Sequence, residues 1–158
     1  MEKKRLLDAC RKTIILIVPA LLLAACSLPR ILVLHDPLNS QEHIDLGVSY
    51  EKRGEFSAAI KEYEEAAKDL PQAYLFMGNV YFQQKNYDAA AKAYGKAIDA
   101  TDNPHAFNNL AWLYYTTDTK LDEAERLARR AVELSPDDEG FADTLKKIRE
   151  RKRANGSP

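Results

Sequence analysis

The chain has 158 residues, 46% of them hydrophobic and 30% charged, with 23 Lys and Arg against 24 Asp and Glu. That near-balance leaves no basic surplus for a nucleic-acid backbone, and two cysteines in the whole chain exclude a disulfide framework. Once the first 25 residues are set aside, 133 remain, enough for one domain and not two, with 18 basic against 22 acidic side chains and a net charge of about −4.

Those first 25 residues read as an address. Lys3, Lys4, Arg5, Arg11 and Lys12 precede the stretch Thr13 to Ala25, which is interrupted only by Thr13 and Pro19. A helix needs about 20 apolar residues to span a bilayer, so this stretch is too short to anchor and fits a secretory signal. It ends in Leu23-Ala24-Ala25-Cys26, which resembles a bacterial lipobox. The resemblance implies removal of residues 1–25 and a diacylglyceryl and N-acyl lipid on the Cys26 thiol; the alternative is an ordinary signal peptide followed by a chance cysteine. Cys10 would leave with the signal and Cys26 would be acylated, so no thiol would remain to oxidise. Ser27 stands where enterobacterial lipoproteins kept in the inner membrane carry Asp, which implies the periplasmic side of the outer membrane. Several acyl chains on one residue give stable anchoring where a single chain gives only marginal binding.

Residues 26–39 form the tether. Pro29 and Pro37 keep it from being one helix, and Ile31, Leu32, Val33, Leu34 and Leu38 make it more apolar than a spacer needs to be. Leaving them in water costs about 0.8 kcal/mol per CH2 group. The membrane interface, a partner, and the domain's own surface are all open as their destination, with the domain's own surface favoured. From residue 40 onward the spacing predicts helices over 40–52, 56–69, 72–84, 87–100, 104–117, 121–134 and 138–153. Asn86 is expected to cap the fourth, Asn103-Pro104 to open the fifth and Asp137-Asp138 the last.

The segments share one grammar. Tyr74, Met77, Gly78 and Tyr81 lie on one helical stripe, and Ala90, Tyr94 and Ala97 on a second. Leu46, Gly47, Tyr50, Ala59, Tyr63, Ala66 and Pro71 occupy the same offsets upstream. Downstream, Phe107, Leu110, Ala111, Tyr114, Ala124, Ala128, Ala131 and Pro136 do so again. Gly78 and Ala90 remove bulk where two helices of a hairpin must cross closely. The pattern resembles the tetratricopeptide repeat family, with periods of 31 and 33 against about 34 for the family. His43 stands where the family prefers a large aromatic residue. The resemblance implies an all-α fold: three helix hairpins (about 40–70, 71–103 and 104–136) stacked as a short right-handed solenoid. A capping helix and basic tail over 137–158 would close it.

Each first helix carries another stripe, one residue further round. It comprises Ile44, Val48 and Glu51 in repeat one; Leu75, Asn79 and Phe82 in repeat two; Asn108, Trp112 and Tyr115 in repeat three. In the tetratricopeptide architecture the first helices line the concave groove. The expected site is therefore an apolar and aromatic groove of Ile44, Val48, Leu75, Asn79, Phe82, Asn108, Trp112 and Tyr115. Asn79 and Asn108 would bond a peptide backbone, and Trp112 would serve as a central anchor. The alternative is that these side chains pack on neighbouring helices or lie under the tether.

The basic residues that hold acidic C-termini in some repeats of this family are absent from these positions, which favours a helix or extended apolar segment of an envelope protein. No nucleophile elbow, H-E-x-x-H or glycine-rich phosphate loop is present, and His35, His43 and His105 are scattered. Glu62, Glu64 and Glu65 read as a charged helix face, with Glu64 paired to Lys68. The expectation is an adaptor or scaffold, or else an assembly factor for a transient client. It would have no catalytic residues, no metal, no cofactor beyond the lipid on Cys26, and no nucleic-acid or small-molecule partner.

Overall fold

The structure, a computed structural model, describes residues 38–156; the leader, Cys26 and nearly all of the tether lie outside the described residues. Seven helices follow one another: α1 (Ser40–Lys52), α2 (Phe56–Ala66), α3 (Ala73–Gln83), α4 (Tyr87–Ala100), α5 (Pro104–Thr116), α6 (Leu121–Leu134) and α7 (Glu139–Ala154). Among the described residues there is no strand.

Side chains close most of the helix starts. Asn39 Oδ1 accepts from the amides of Gln41 and Glu42, both at 3.0 Å, while Glu42 Oε2 accepts from the Asn39 amide at 2.7 Å, so Asn39 belongs to the domain as a capping box. Asn86 caps α4 through the Ala89 amide at 3.3 Å, and Asn103, followed by Pro104 in the first turn, caps α5 through the His105 amide at 2.9 Å. Asp138 accepts from Gly140 and Phe141 at the start of α7. α2 ends at Ala66 rather than near residue 69. The amides of Lys68 and Asp69 bond three residues back, to Glu65 and Ala66, and Pro71 disfavours helical geometry at Leu70. The shorter first period is thus taken from the end of α2.

The turns inside the three hairpins place Gly54, Lys85 and Asp118, at one repeat offset, in the left-handed region with φ of 75°, 59° and 52°. Glycine adopts it freely, whereas Lys85 and Asp118 do so at a cost of about 1 kcal/mol each. The extra residue in the third turn brings a further positive φ of 46° at Lys120.

Within the first two hairpins the helices meet as ring against backbone. A Cβ placed on Gly47 would lie 2.4 Å from the Tyr63 ring, and one on Gly78 would lie 2.4 Å from the Tyr94 ring. Ala90 is buried as expected, but the ring that Gly78 admits is that of Tyr94, one turn further along α4. In the third hairpin Ala111 and Ala128 take the same two offsets and are both fully buried, so two small side chains stand in place of glycine and ring.

Successive hairpins stack through the other side of each first helix. Phe76 lies on Tyr63 with ring centroids 5.4 Å apart, and Val80 and Leu113 are buried at matching offsets. The same offsets in α1 carry Asp45 and Ser49, whose polar groups bond locally to Gln41 and Arg53. A polar outer face of this kind closes the first end of a repeat stack.

α7 closes the other end. Phe141 and Ile148 are buried against the third hairpin, and three cations converge on Glu125 of α6: Lys152 at 2.8 Å, Arg149 at 3.0 Å and Arg129 at 2.9 Å. The hydrogen bonds from Lys152 and Arg149, against a smaller opposing effect of burial, hold the Glu125 carboxyl down to about 2 from its ordinary 4.5. The cations of α7 therefore face α6 more than they complement the helix's own terminus.

Two outcomes test this packing. Gly78→Ala should destabilise the fold by about 1–3 kcal/mol in urea denaturation, because the methyl overpacks Tyr94. Gly95→Ala, with nothing within 4 Å of the new methyl, should stabilise it by up to about 1 kcal/mol. For Glu125, a folded value below the ordinary one means that its stabilisation is present above pH 4.5 and is lost as pH falls from 4.5 towards 2. Glu125→Gln should flatten the pH dependence of the urea midpoint within that window, and an unchanged slope would show that the triad does not fasten α7.

Candidate partner-binding groove

The first helices share one depression of about 310 Å³, lined by Glu51 of α1, Asn79, Phe82 and Gln83 of α3, Asn109 and Trp112 of α5, and the Tyr94 side chain reaching through from α4. Its floor is built by the close crossings described above. Because Gly47 and Gly78 admit whole rings, the Tyr63 and Tyr94 hydroxyls reach between the paired helices to side chains of this wall while the rings stay buried. Tyr63 Oη donates to Glu51 Oε2 at 3.0 Å, and Tyr94 Oη donates to Asn79 Oδ1 at 2.9 Å.

Each acceptor also receives an amide from the next repeat: Gln83 Nε2 donates to Glu51 Oε1, and Asn109 Nδ2 to Asn79 Oδ1 at 2.9 Å. Burial in the first place, and for Tyr63 the Glu51 carboxylate in the second, raises both phenols well above their ordinary value. They stay protonated as donors throughout the physiological range.

The expected wall is only partly the observed one. Phe82 and Trp112 line the depression, with Phe82 edge-on to Tyr87 at 5.6 Å and Trp112 tilted against Tyr115 at 5.0 Å. Ile44 does not face it: at 4% exposure it belongs to the core of the first hairpin. Val48 and Leu75 are half-buried and pack on the two halves of the core. Asn79 lies on the wall, but its carbonyl oxygen already holds Tyr94 and Asn109 and so serves the stack. Asn108 Oδ1 is buried and has no hydrogen-bond partner among the described residues; the amide that joins the wall is that of Asn109, one residue on.

Trp112 and Tyr115 sit at the α7 end rather than centrally. Lys147 Nζ lies 5.5 Å from the Trp112 ring and the Arg151 guanidinium 5.0 Å from the Tyr115 ring, each cation also paired with a carboxylate, Asp143 and Asp118. The groove is thus mixed, with amides and one carboxylate among its rings.

Gln83, Asn109 and Tyr94 were not expected on this wall. The signal for Tyr94 was available, since a tyrosine at a core position must find its hydroxyl a partner. Nor is Glu62 merely part of a solvated face: its Oε2 lies 2.8 Å from Nδ1 of buried His43, and Lys68 pairs with Glu65 rather than Glu64. His105 is exposed, with its ring edge-on to Phe141 at 5.2 Å. No three His, Cys, Asp or Glu side chains stand together as metal ligands among the described residues, and no helix there is long and apolar enough to cross a membrane.

The tetratricopeptide repeat family model matches residues 44–103 and again 75–139. The chain belongs to the tetratricopeptide repeat family. No curated protein matches it. Among solved structures, this tetratricopeptide repeat chain is similar to the first repeat domain of Spaghetti (RPAP3) bound to the HSP90 peptide SRMEEVD. That similarity has a TM-score of 0.66 and 21% identity over 75% of this chain and 97% of that one. The first repeat domain of human RPAP3 gives 0.66 and 21% over 73% and 93%. The Sgt2 domain from Aspergillus fumigatus gives 0.68 and 15% over 75% and 82%. At these identities the likeness concerns the fold. The right-handed stack of helix pairs expected from the repeats is therefore the architecture of this chain.

Proposed function

We propose that this chain is a lipoprotein of the outer membrane, anchored on its periplasmic side through acylated Cys26, and that its first-helix groove holds a segment of another envelope protein. It acts as an adaptor and carries out no chemistry of its own. The observation that carries the reading is one continuous depression over α1, α3 and α5 in which Phe82 and Trp112 stay partly open to solvent on a face the hairpins do not need for pairing. A neighbour of the same fold binds a peptide, which supports the mode of recognition. The peptide differs: SRMEEVD is acidic, whereas among the described residues the only charged side chain lining this depression is the carboxylate of Glu51. An apolar segment that stacks on the rings suits it better. The anchor rests on the L-A-A-C sequence and on Ser27 after it.

Photo-crosslinking in intact cells tests the groove, with a photoreactive residue at Trp112 and a control at Glu65 on α2. Adducts to one envelope protein from position 112 alone are expected. Equal adducts from both positions, or none, would remove the groove from consideration. If loss of the chain also removes an assembled pore, the bound protein is a transient client and the chain an assembly factor. For the anchor, Cys26→Ser should move the chain from the membrane to the soluble fraction and abolish labelling by radioactive palmitate. Unchanged membrane retention would count against lipidation.

A further inference from the structure

α1, α3 and α5 are each followed by a helix that packs back on them; α7 has no such partner among the described residues. What it presents instead is a groove of about 420 Å³ between α6 and α7, whose apolar lining is exposed Ala142, half-buried Val132 and, at its base, Leu145, only 9% exposed. Lys146, Arg149 and Arg153, at i, i+3 and i+7, form one stripe along its edge, against a single carboxylate, Glu150. Arg149 is held by Glu125, but Lys146 and Arg153 are exposed and make no ion pair among the described residues. They are thus charges without a carboxylate partner among the described residues.

The floor limits what can lie there. Leu145 follows Phe141 by four residues, as Gly78 follows Tyr74 and Ala111 follows Phe107, so it occupies the place where the first two hairpins admit a tyrosine ring. Leu145 leaves no such room. A helix seated on it must put glycine or alanine at the contact, in the manner of Ala128 opposite Ala111.

We infer that the α6–α7 groove is a second docking surface, separate from the first-helix groove, and that it takes an acidic amphipathic helix of a partner protein, with a small residue over Leu145 and carboxylates along Lys146, Arg149 and Arg153. The basic stripe selects the charge of that helix. A second copy of this chain is the competing occupant.

The test uses the full acylated chain in detergent micelles and a fluorescein-labelled peptide of the 121–134 sequence carrying Arg126→Glu, Arg129→Glu and Arg130→Glu. Saturable binding by anisotropy is expected, weakened at least tenfold by Lys146→Glu with Arg153→Glu. Both substitutions are exposed, and unchanged circular dichroism verifies that the variant is folded. Partitioning of the peptide into micelles is common to both chains and cancels. A photoreactive residue at Ala142 should crosslink the peptide, and one at Trp112 should not. Equal affinity for the two chains, absence of saturation, or crosslinking from position 112 would overturn the assignment. Concentration-dependent dimers of the chain alone, abolished by the same two substitutions, would overturn it in favour of self-association.

Discussion

The close approach of the paired helices over Gly47 and Gly78 is the constraint on which the rest of the structure depends. A methyl at either position would fall inside a tyrosine ring, so the two side chains are chosen together: hydrogen on one helix, phenol on the other. The ring fills the crossing and its hydroxyl comes out on the far side, where a buried polar group must be bonded. Glu51 and Asn79 meet that need, and each also takes an amide from the next repeat. One steric fact thus sets the hairpin angle, puts polar atoms on the inner wall and ties repeat one to two and two to three. The third hairpin uses two alanines at the crossing, and there the stack is continued by α7 and its ion pairs instead.

The two ends of the stack are finished by different means. At the first end the positions that would receive another repeat hold Asp45 and Ser49, whose polar groups bond within their own helix and its end. At the other, α7 buries Phe141 and Ile148 and then fastens itself with Lys152 and Arg149 on Glu125, and Lys147 and Arg151 over Trp112 and Tyr115. Ion pairs at a surface contribute little singly; a carboxylate shared by three cations, only 16% exposed, contributes more because each charge orients the others. The consequence for binding is that one end of the inner wall is already occupied by the chain's own cations. The open part lies around Phe82, Gln83 and the near edge of Trp112.

Two surfaces with different chemistry therefore flank the third repeat. The inner wall offers rings, amides and one carboxylate. The α6–α7 edge offers alanine, a half-buried valine and a row of cations.

The repeats, the hairpins, the turns and most of the caps were legible in the sequence because they are local. A 3.6-residue period, an Asn before a helix or a Pro in its first turn acts within a few residues and does not depend on what packs nearby. The inner wall was legible only in part. Phe82 and Trp112 line the depression, while Ile44 went into the core and Asn109, not Asn108, reaches the wall, where it bonds Asn79. Successive helical residues point about 100° apart, so an error of one position separates wall from core, and the rotation of each first helix is fixed by what the next repeat inserts beneath it: Phe76 over Tyr63, Asn109 beside Tyr94. The destination of the α7 cations was likewise decided by packing, since Glu125, Asp118 and Trp112 lie far from them in the chain and meet them only once the third hairpin has closed. The sequence by itself determined how many helices there are, where they turn and which residues repeat. Tertiary structure decided which of two adjacent stripes faces the groove, because that choice depends on contacts between repeats and not on the period within one.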